Sequence, residues 1–143
     1  SHTWAHTYLT NMSEGQILQS LNQTRDANVA AGGNAPKGVR PPGGKINDAS
    51  KAVLVKAGMP SIVWSVDTLD WKTRNAQKTI DTVLSQVKDG DIVLMHDLYE
   101  QSAIAAETLI PELTKRGYQL VTVSEMAELR GGMAAGHSYG HFR

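Results

Sequence analysis

The chain has 143 residues, 41% of them hydrophobic, which is enough for one domain with a buried core. Fourteen basic and fourteen acidic side chains cancel, so no net charge attracts the chain to nucleic acid or to an anionic membrane surface. The absence of cysteine excludes disulfides and thiolate metal sites, and no segment approaches the roughly 18 apolar residues of a membrane span.

Two histidines, His2 and His6, stand four residues apart at the start of the chain. Residues at this spacing share one face of a helical turn, where two neutral imidazoles can bind one metal ion. A catalytic zinc site has three protein ligands and a water, so a third ligand must come from elsewhere in the chain or from another polypeptide. Taken alone, the spacing is also common among structural histidines on helix surfaces and in cores.

Helix and strand signals alternate along the rest of the chain. Helices are predicted to begin at Ser13, at Asn47 or Asp48, at Asn75, at Ser102 and at Ser124. Strands are predicted at 37–40, 61–66, 91–95 and 118–123, and the two middle runs are apolar enough to be buried on both faces. This order predicts an α/β fold with a parallel sheet and outer helices, either open or closed into a barrel.

Polar residues follow three of the predicted strands. Arg40 follows the first, Asp67 and Asp70 follow the second, and His96 and Asp97 follow the third. Ligands of parallel α/β folds bind at the carboxyl ends of strands, so these side chains are expected at one rim.

The segment 40–44 joins an arginine to two prolines and two glycines. Arg40 can orient a carboxylate through paired hydrogen bonds, and the main-chain N–H of Gly43 can donate to an oxyanion. Trp71 can form an apolar wall for a sugar ring. Asp70 can pair with a histidine and keep it protonated as a general acid. Considered singly, each motif has a structural alternative, such as an ordinary turn, a capping aspartate or a satisfied core histidine.

The glycine-rich residues 131–143 are predicted to form a flexible extension beyond a domain at 1–130. His137 and His141 repeat the four-residue spacing there, but among glycines they are expected to lie in a loose tail.

Taken together and in order, these motifs resemble the NodB-homology polysaccharide deacetylases, carbohydrate esterase family 4. Four of the family's five motifs match: the second at His2-Thr3-Trp4-Ala5-His6, the third at Arg40-Pro41-Pro42, the fourth at Asp67–Trp71 and the fifth at Leu94-Met95-His96. The third motif departs from the family at Gly43, where tyrosine or phenylalanine is common, and the change is expected to reshape one wall of the groove. The first motif, Thr-Phe-Asp-Asp, is absent.

The resemblance covers residues 1 to about 130 and implies the C-terminal portion of a distorted (β/α) barrel, whose N-terminal strands lie outside this chain. It implies that an N-terminal fragment of the same domain, carrying the Asp-Asp motif, supplies the catalytic base and the third metal ligand. The chain alone is therefore expected to be inactive, and poorly stable because half a barrel exposes sheet edges.

The resemblance also implies metal-dependent hydrolysis of N-acetyl groups on a polysaccharide such as peptidoglycan or chitin. Two imidazoles and a carboxylate suit zinc, with cobalt or nickel as alternatives. The implied metal ligands are His2 and His6, the implied catalytic residues are His96, Asp70 and Arg40, and the implied substrate-binding residues are Gly43, Trp71, Leu94 and Asp67.

Two other functions remain open on the sequence. One is O-deacetylation of xylan, as in the family's acetyl xylan esterases, and the other is an inactive carbohydrate-binding remnant that lacks the base. An extracellular or cell-envelope location follows only from the expected substrate.

Overall fold

The computed structural model describes all residues, 1–143, as a mixed α/β chain that divides into two compact units. The first unit contains Ser1–Val63 and Met133–Tyr139, and the second contains Trp64–Gly132 and Gly140–Arg143. None of the helices combines the length and apolar character needed to span a bilayer.

The helices are α1 (Glu14–Ala30), α2 (Asp48–Lys56), α3 (Asp70–Thr73), α4 (Ala76–Gln86), α5 (Glu100–Lys115) and α6 (Val123–Leu129). The strands are β1 (Ser61–Ile62), β2 (Val66–Asp67), β3 (Val93–Leu94) and β4 (Ser138–Tyr139). Strand β1 pairs in parallel with β4, and β2 pairs in parallel with β3. Short 3₁₀ turns cover Leu9–Asn11 and Pro42–Gly44.

Three helix starts agree with the prediction, because each is set by a local cap. Ser13 and Gln16 form a capping box at the start of α1. Asn47 caps α2 and Asn75 caps α4.

Two other helix starts were predicted at the wrong residue. Helix α5 begins at Glu100 rather than Ser102, whose hydroxyl bonds to a distant carboxylate instead of capping the helix. Helix α6 is capped by Thr122, which forms a capping box with Glu125, so Ser124 lies inside it. The strand predicted at 118–123 is absent, since its last residues form this cap and the first turn of α6.

The buried-strand predictions were too long. The run at 61–66 contains β1 and β2, which pair with different strands, and the run at 91–95 contains only the two residues of β3. The strand predicted at 37–40 is reduced to a single bridge between Val39 and Ser61. Apolar runs reflect burial, which irregular backbone can achieve as well as a strand.

The segment 131–143, predicted to be a flexible extension, makes specific backbone contacts in this structure. Strand β4 pairs with β1, and Phe142 is buried with its N–H donating to the Gly90 carbonyl at 2.8 Å. Gly136 permits close packing, because a β-carbon there would collide with Val55. Glycine-rich sequence here allows tight contact rather than mobility.

Each unit has its own hydrophobic core. The core of the first unit consists of Leu9, Ile17, Leu21, Val39, Val53 and Leu54. The core of the second consists of Ile80, Val83, Ala105, Leu109 and Leu113, on the facing sides of α4 and α5. These cores support the loops that carry the candidate functional residues.

Candidate functional site

The candidate residues fall into two groups, one in each unit. The first group, here called the histidine pair, is His2 and His6, with Arg40 and Gly43 in the same unit. The second, here called the acid pair, is Asp70 and His96.

The histidine pair lies on irregular backbone, so the helical turn expected from its spacing is wrong. The two imidazoles nevertheless lie close together, with ring centroids 4.9 Å apart and ring planes at 70°. Two left-handed residues, Thr3 (φ 63°) and His6 (φ 55°), bend the segment. A β-branched residue rarely adopts a positive φ, and such strain is concentrated at functional sites.

A hydrogen bond fixes the tautomer of His2. Its Nδ1 lies 2.6 Å from the Arg40 carbonyl oxygen, which can only accept, so Nδ1 carries the proton and Nε2 has a free lone pair. Burial is the main cause that lowers the pKa of His2, with the nearby His6 and Arg40 charges adding to it against the Arg40 hydrogen bond. The neutral imidazole, which is the form that binds metal ions, is therefore favoured.

Arg40 has an unused donor. Its backbone N–H donates to the Ser1 carbonyl at 2.8 Å, but its buried side-chain Nε has no hydrogen-bond partner. Burial also lowers the pKa of Arg40. The buried hydroxyls of Ser1 and Thr3 likewise lack partners. Buried donors rarely stay unpaired, so this part of the first unit suits an acceptor such as a carboxylate from outside the chain.

Gly43 adopts a left-handed conformation (φ 60°, ψ 14°) and packs beneath Tyr8. A β-carbon on Gly43 would lie 3.1 Å from Tyr8 Cε1 and 3.4 Å from Cζ. An aromatic ring therefore does lie beside position 43, although Tyr8 supplies it. This contact joins residues 35 positions apart and was not predicted.

The acid pair is densely hydrogen-bonded. Asp70 Oδ1 lies 2.8 Å from His96 Nδ1, and Oδ2 accepts from the His96 backbone N–H and the Ser102 hydroxyl, each at 2.7 Å. The Asp70 side chain is 2% exposed, whereas that of His96 is 34% exposed. The hydrogen bond holds the Nδ1 edge of the imidazole, and the ring stays partly exposed to solvent.

Asp70 is held in its ionised form. Burial alone would raise its pKa, but the hydrogen bonds from Ser102, His96 and the Trp71 backbone outweigh burial, and the pKa lies below its ordinary value. An ionised carboxylate accepts a hydrogen bond from His96 Nδ1–H and so orients the ring. The other ring nitrogen, Nε2, is not used in this hydrogen bond.

Hydrogen bonds in the turn at 67–69 position the backbone just before Asp70. The Asp67 carboxylate accepts the Leu69 N–H at 3.0 Å, and the Thr68 hydroxyl donates to the Leu94 carbonyl at 2.8 Å. The hydrogen bond from Thr68 joins the residue after β2 to the last residue of β3, two positions before His96. Trp71 is 47% exposed and available for contact, whereas Leu94 is only 7% exposed within β3.

Further residues near the acid pair were missed by sequence reasoning. Ser102 was predicted only as the start of a helix, and the contact in which Arg74 stacks over the Tyr99 ring at 4.6 Å was not predicted. Neither the bond between Ser102 and Asp70 nor the stacking of Arg74 on Tyr99 follows from a sequence pattern, because each joins residues far apart in the chain.

The residues present fit half of a metal site. No group of three or more histidine, cysteine, aspartate or glutamate side chains is placed to hold a metal ion. The two adjacent imidazoles, one with its tautomer fixed, would provide two nitrogen ligands, and the unpaired Arg40 Nε suits a carboxylate partner. A divalent ion would need one more ligand from outside this chain.

The comparisons with known proteins agree with this chemistry. The family model "Polysaccharide deacetylase" matches residues 1–62. The peptidoglycan-N-acetylmuramic acid deacetylase PdaC of Bacillus subtilis is 42% identical over 130 residues, which are 91% of this chain but 27% of that protein. The chain thus spans about a quarter of this curated relative.

Two solved structures extend the match. The T48 deacetylase with substrate is 34% identical, with a TM-score of 0.90 over 97% of this chain and 68% of that one. A family 4 acetyl xylan esterase from Clostridium thermocellum, in complex with a cobalt ion, is 26% identical, with a TM-score of 0.89 over 99% of this chain and 70% of that one. These matches confirm the expected α/β fold as part of the (β/α) barrel of these deacetylases.

Proposed function

The chain belongs to the polysaccharide deacetylase family, and from that premise we propose that it forms part of a metal-dependent hydrolase. This enzyme removes N-acetyl groups from N-acetylglucosamine-containing polysaccharide, peptidoglycan or a chitin-like polymer. The observation that carries the proposal is the acid pair, in which a buried, ionised Asp70 orients a partly open His96.

His96 is the general acid of the proposed reaction. Breaking an amide C–N bond requires a proton on the leaving nitrogen, because an amide anion is a very poor leaving group. The ionised Asp70 accepts a hydrogen bond from His96 Nδ1–H, which orients the ring and leaves Nε2 to donate a proton to the departing amine. Water adds to the acetyl carbon and gives a proton to the proposed base outside this chain. The C–N bond then breaks, the nitrogen takes the proton from His96 Nε2, and the products are acetate and a free amine on the sugar.

His2 and His6 would hold a divalent metal, with zinc the best match to their nitrogen donors and cobalt or nickel as alternatives. Such an ion, when bound, supplies Lewis-acid polarisation of the acetyl carbonyl. The fixed tautomer of His2 leaves its Nε2 lone pair directed away from the Arg40 carbonyl, as a metal ligand requires.

The proposed base comes from a segment that carries two aspartates and lies outside this chain. Arg40 would donate its unpaired Nε proton to that carboxylate, holding it in place. We refer to this chain joined to such a segment as the completed domain. The chain alone is proposed to be inactive, since it supplies an acid but no base.

The remaining motif residues would contact the substrate. The main-chain N–H of Gly43 would donate to the developing oxyanion, and the exposed indole of Trp71 would stack on a sugar ring. Asp67 would hold the turn before Trp71, and Leu94 would back the acetyl pocket from within β3. An extracellular or cell-envelope location is proposed because such polymers are found there.

An acetyl xylan esterase is the second candidate, favoured by the similarity to the Clostridium thermocellum enzyme. The two reactions differ in the leaving group, because an alkoxide departs with less help from an acid than an amine does. A supported histidine such as His96 is therefore worth more to N-deacetylation. An inactive carbohydrate-binding protein is the third candidate.

The experiment is an acetate-release assay on the completed domain loaded with zinc, with peptidoglycan, chitin oligomers and acetyl xylan as substrates. The proposal expects acetate from the first or second polymer, with an equal amount of free amine detected by mass spectrometry. Mass spectra of peptidoglycan products also separate N-acetylglucosamine from N-acetylmuramic acid, the sugar in the name of PdaC. Release from xylan alone would establish the esterase, and binding without release would establish the inactive reading.

A further inference from the structure

The backbone that carries Asp70 is weakly held by its own segment. Asp70 begins α3, which is only four residues long and lies between two left-handed residues, Leu69 (φ 50°) and Arg74 (φ 46°). A helix of one turn gains little stability from its own hydrogen bonds, and left-handed conformations of such residues cost energy. Contacts from elsewhere must therefore fix the position of this carboxylate.

Helix α5 provides a rigid neighbour. It is 16 residues long and packs against α4 through buried Ala105, Leu109 and Leu113. Ser102 lies in its first turn, 3% exposed, with Oγ 2.7 Å from Asp70 Oδ2. The hydroxyl therefore joins α5, which packs closely against α4, to the one-turn helix α3.

The carboxylate of Asp70 needs such a restraint because the torsion that turns its two oxygens is soft. Two backbone groups also donate to the carboxylate: the N–H of His96, the residue that the carboxylate itself orients, and the Trp71 backbone, which belongs to the one-turn helix α3. Ser102 is thus the side-chain donor that acts on Asp70 independently of His96. A stacking contact between Arg74 and Tyr99, the residue before α5, ties the far end of α3 to the same place.

We propose that Ser102 is a positioning residue for the general acid, and that its hydroxyl holds the Asp70 carboxylate so that Oδ1 stays directed at His96 Nδ1. The inference rests on the proposed function for its effect on turnover. Its effect on the acid pair itself is independent of any activity. Ser102 contacts neither substrate nor metal in this role, and it acts only through Asp70.

The competing reading is that Ser102 is merely a buried hydroxyl that stabilises the fold. Both readings expect Ser102→Ala to lower the free energy of unfolding, so stability does not separate them. Two readouts do separate them. One is the division of the effect between kcat and KM, and the other is the NMR signal of the His96 Nδ1 proton, which exchanges slowly with water only while Asp70 holds it.

The experiment compares Ser102→Ala and Ser102→Thr in the completed domain, with Ser50→Ala as the matched control. Ser50 is also a buried serine, 2% exposed, whose hydroxyl bonds to Asn47 at the start of α2 in the other unit. Ser102→Ala is expected to lower kcat about tenfold with KM changed less than about twofold, and to broaden the His96 Nδ1–H signal. Ser102→Thr keeps a hydroxyl and is expected to restore both readouts, while Ser50→Ala leaves both unchanged.

Several results would overturn the proposal. One is a Ser102→Ala protein that keeps wild-type kcat and a sharp His96 signal, and another is a Ser50→Ala protein with the same loss of kcat. If Ser102→Ala does not fold, Ser102→Cys takes its place, because a thiol is a weaker donor of similar size, and a wild-type signal in that variant contradicts the proposal. If the wild-type protein releases no acetate, the proposed function fails while the NMR comparison still decides the role of Ser102.

Discussion

The two units differ in how completely their functional groups are paired. In the second unit the Asp70 carboxylate has donors on both oxygens and is 2% exposed. In the first unit the histidine pair lies beside three buried polar atoms that have no partner, on Ser1, Thr3 and Arg40. The comparison indicates that the hydrogen bonds of the acid pair are complete within this chain, whereas the proposed metal site needs a further group.

The largest effect is expected from removing the histidine pair. His2→Gln combined with His6→Gln removes both nitrogen ligands, so metal affinity should fall by more than about a hundredfold and acetate release should reach background. Isothermal titration with zinc and the acetate assay check this in the completed domain. Replacement of His137 and His141, which have the same spacing in the sequence, is the control and should change neither quantity.

The next effect is expected from the acid pair, and it should be confined to turnover. His96→Gln removes the proton donor and should lower kcat about 100- to 10,000-fold while zinc affinity stays at the wild-type value. A zinc affinity that falls together with kcat would contradict the proposal that the histidine pair binds the metal and His96 only donates the proton. Full activity in this variant would exclude His96 as the acid.

A smaller effect, on stability, is expected where Gly43 meets Tyr8. Gly43→Ala must place a side chain at φ 60° and within 3.1 Å of the Tyr8 ring. Gly58→Ala is the matched control, since Gly58 has φ 68° but nothing within 4 Å of a β-carbon. Backbone strain should lower the free energy of unfolding of each variant by about 1–2 kcal/mol. The loss should be larger for Gly43→Ala than for Gly58→Ala, because its β-carbon also meets the Tyr8 ring.

Urea denaturation measures the free energy of unfolding of both glycine variants. Tyr8→Ala combined with Gly43→Ala should recover the part due to the contact but not the part due to the backbone. If Gly43→Ala and Gly58→Ala lose equal stability, the Tyr8 ring does not press on Gly43.

The smallest effect is expected in the pH dependence of stability, and the two units should respond at different pH. The pKa of His2 is lowered from about 6.5, so the stability it contributes is present above that pH and is lost as pH falls through the lower folded value. The pKa values of Asp70 and Asp91 are lowered because their hydrogen bonds outweigh burial, so their contribution is lost only below about pH 4.

Urea midpoints measured from pH 7.5 to pH 3 test this difference. His2→Gln should remove the loss that begins near neutral pH. Asp91→Asn should flatten the loss at low pH, because Asp91 accepts from Ser65, Lys88 and Arg143. A flat profile down to pH 4 in the wild-type protein would contradict the assignment for His2.

The sequence predicted those features that depend on neighbouring residues. The caps at Ser13, Asn47 and Asn75 were found because each bonds within its own turn. The contact between Ser102 and Asp70 joins residues 32 positions apart and could not be found this way. The histidine pair was found by spacing although its helix was wrong, since two left-handed residues bring the rings together by another route.

Strand lengths and the C-terminal segment were predicted least well. An apolar run such as 61–66 shows that residues are buried but not which strand they pair with. The segment 131–143 carries few apolar residues, yet its single buried ring, Phe142, and its backbone pairing hold it in place. Both errors arise because partners distant in sequence decide pairing.

We propose that this chain contributes its histidine pair and its acid pair to the hydrolysis of an N-acetylated sugar. The most direct test is acetate release from N-acetylglucosamine oligomers and peptidoglycan by the completed domain, with zinc removed by a chelator and then restored. We expect equal amounts of acetate and free amine. Both should be lost on chelation, regained with zinc, and lost again in His96→Gln despite bound zinc. Acetate release that persists without metal and in His96→Gln would contradict it.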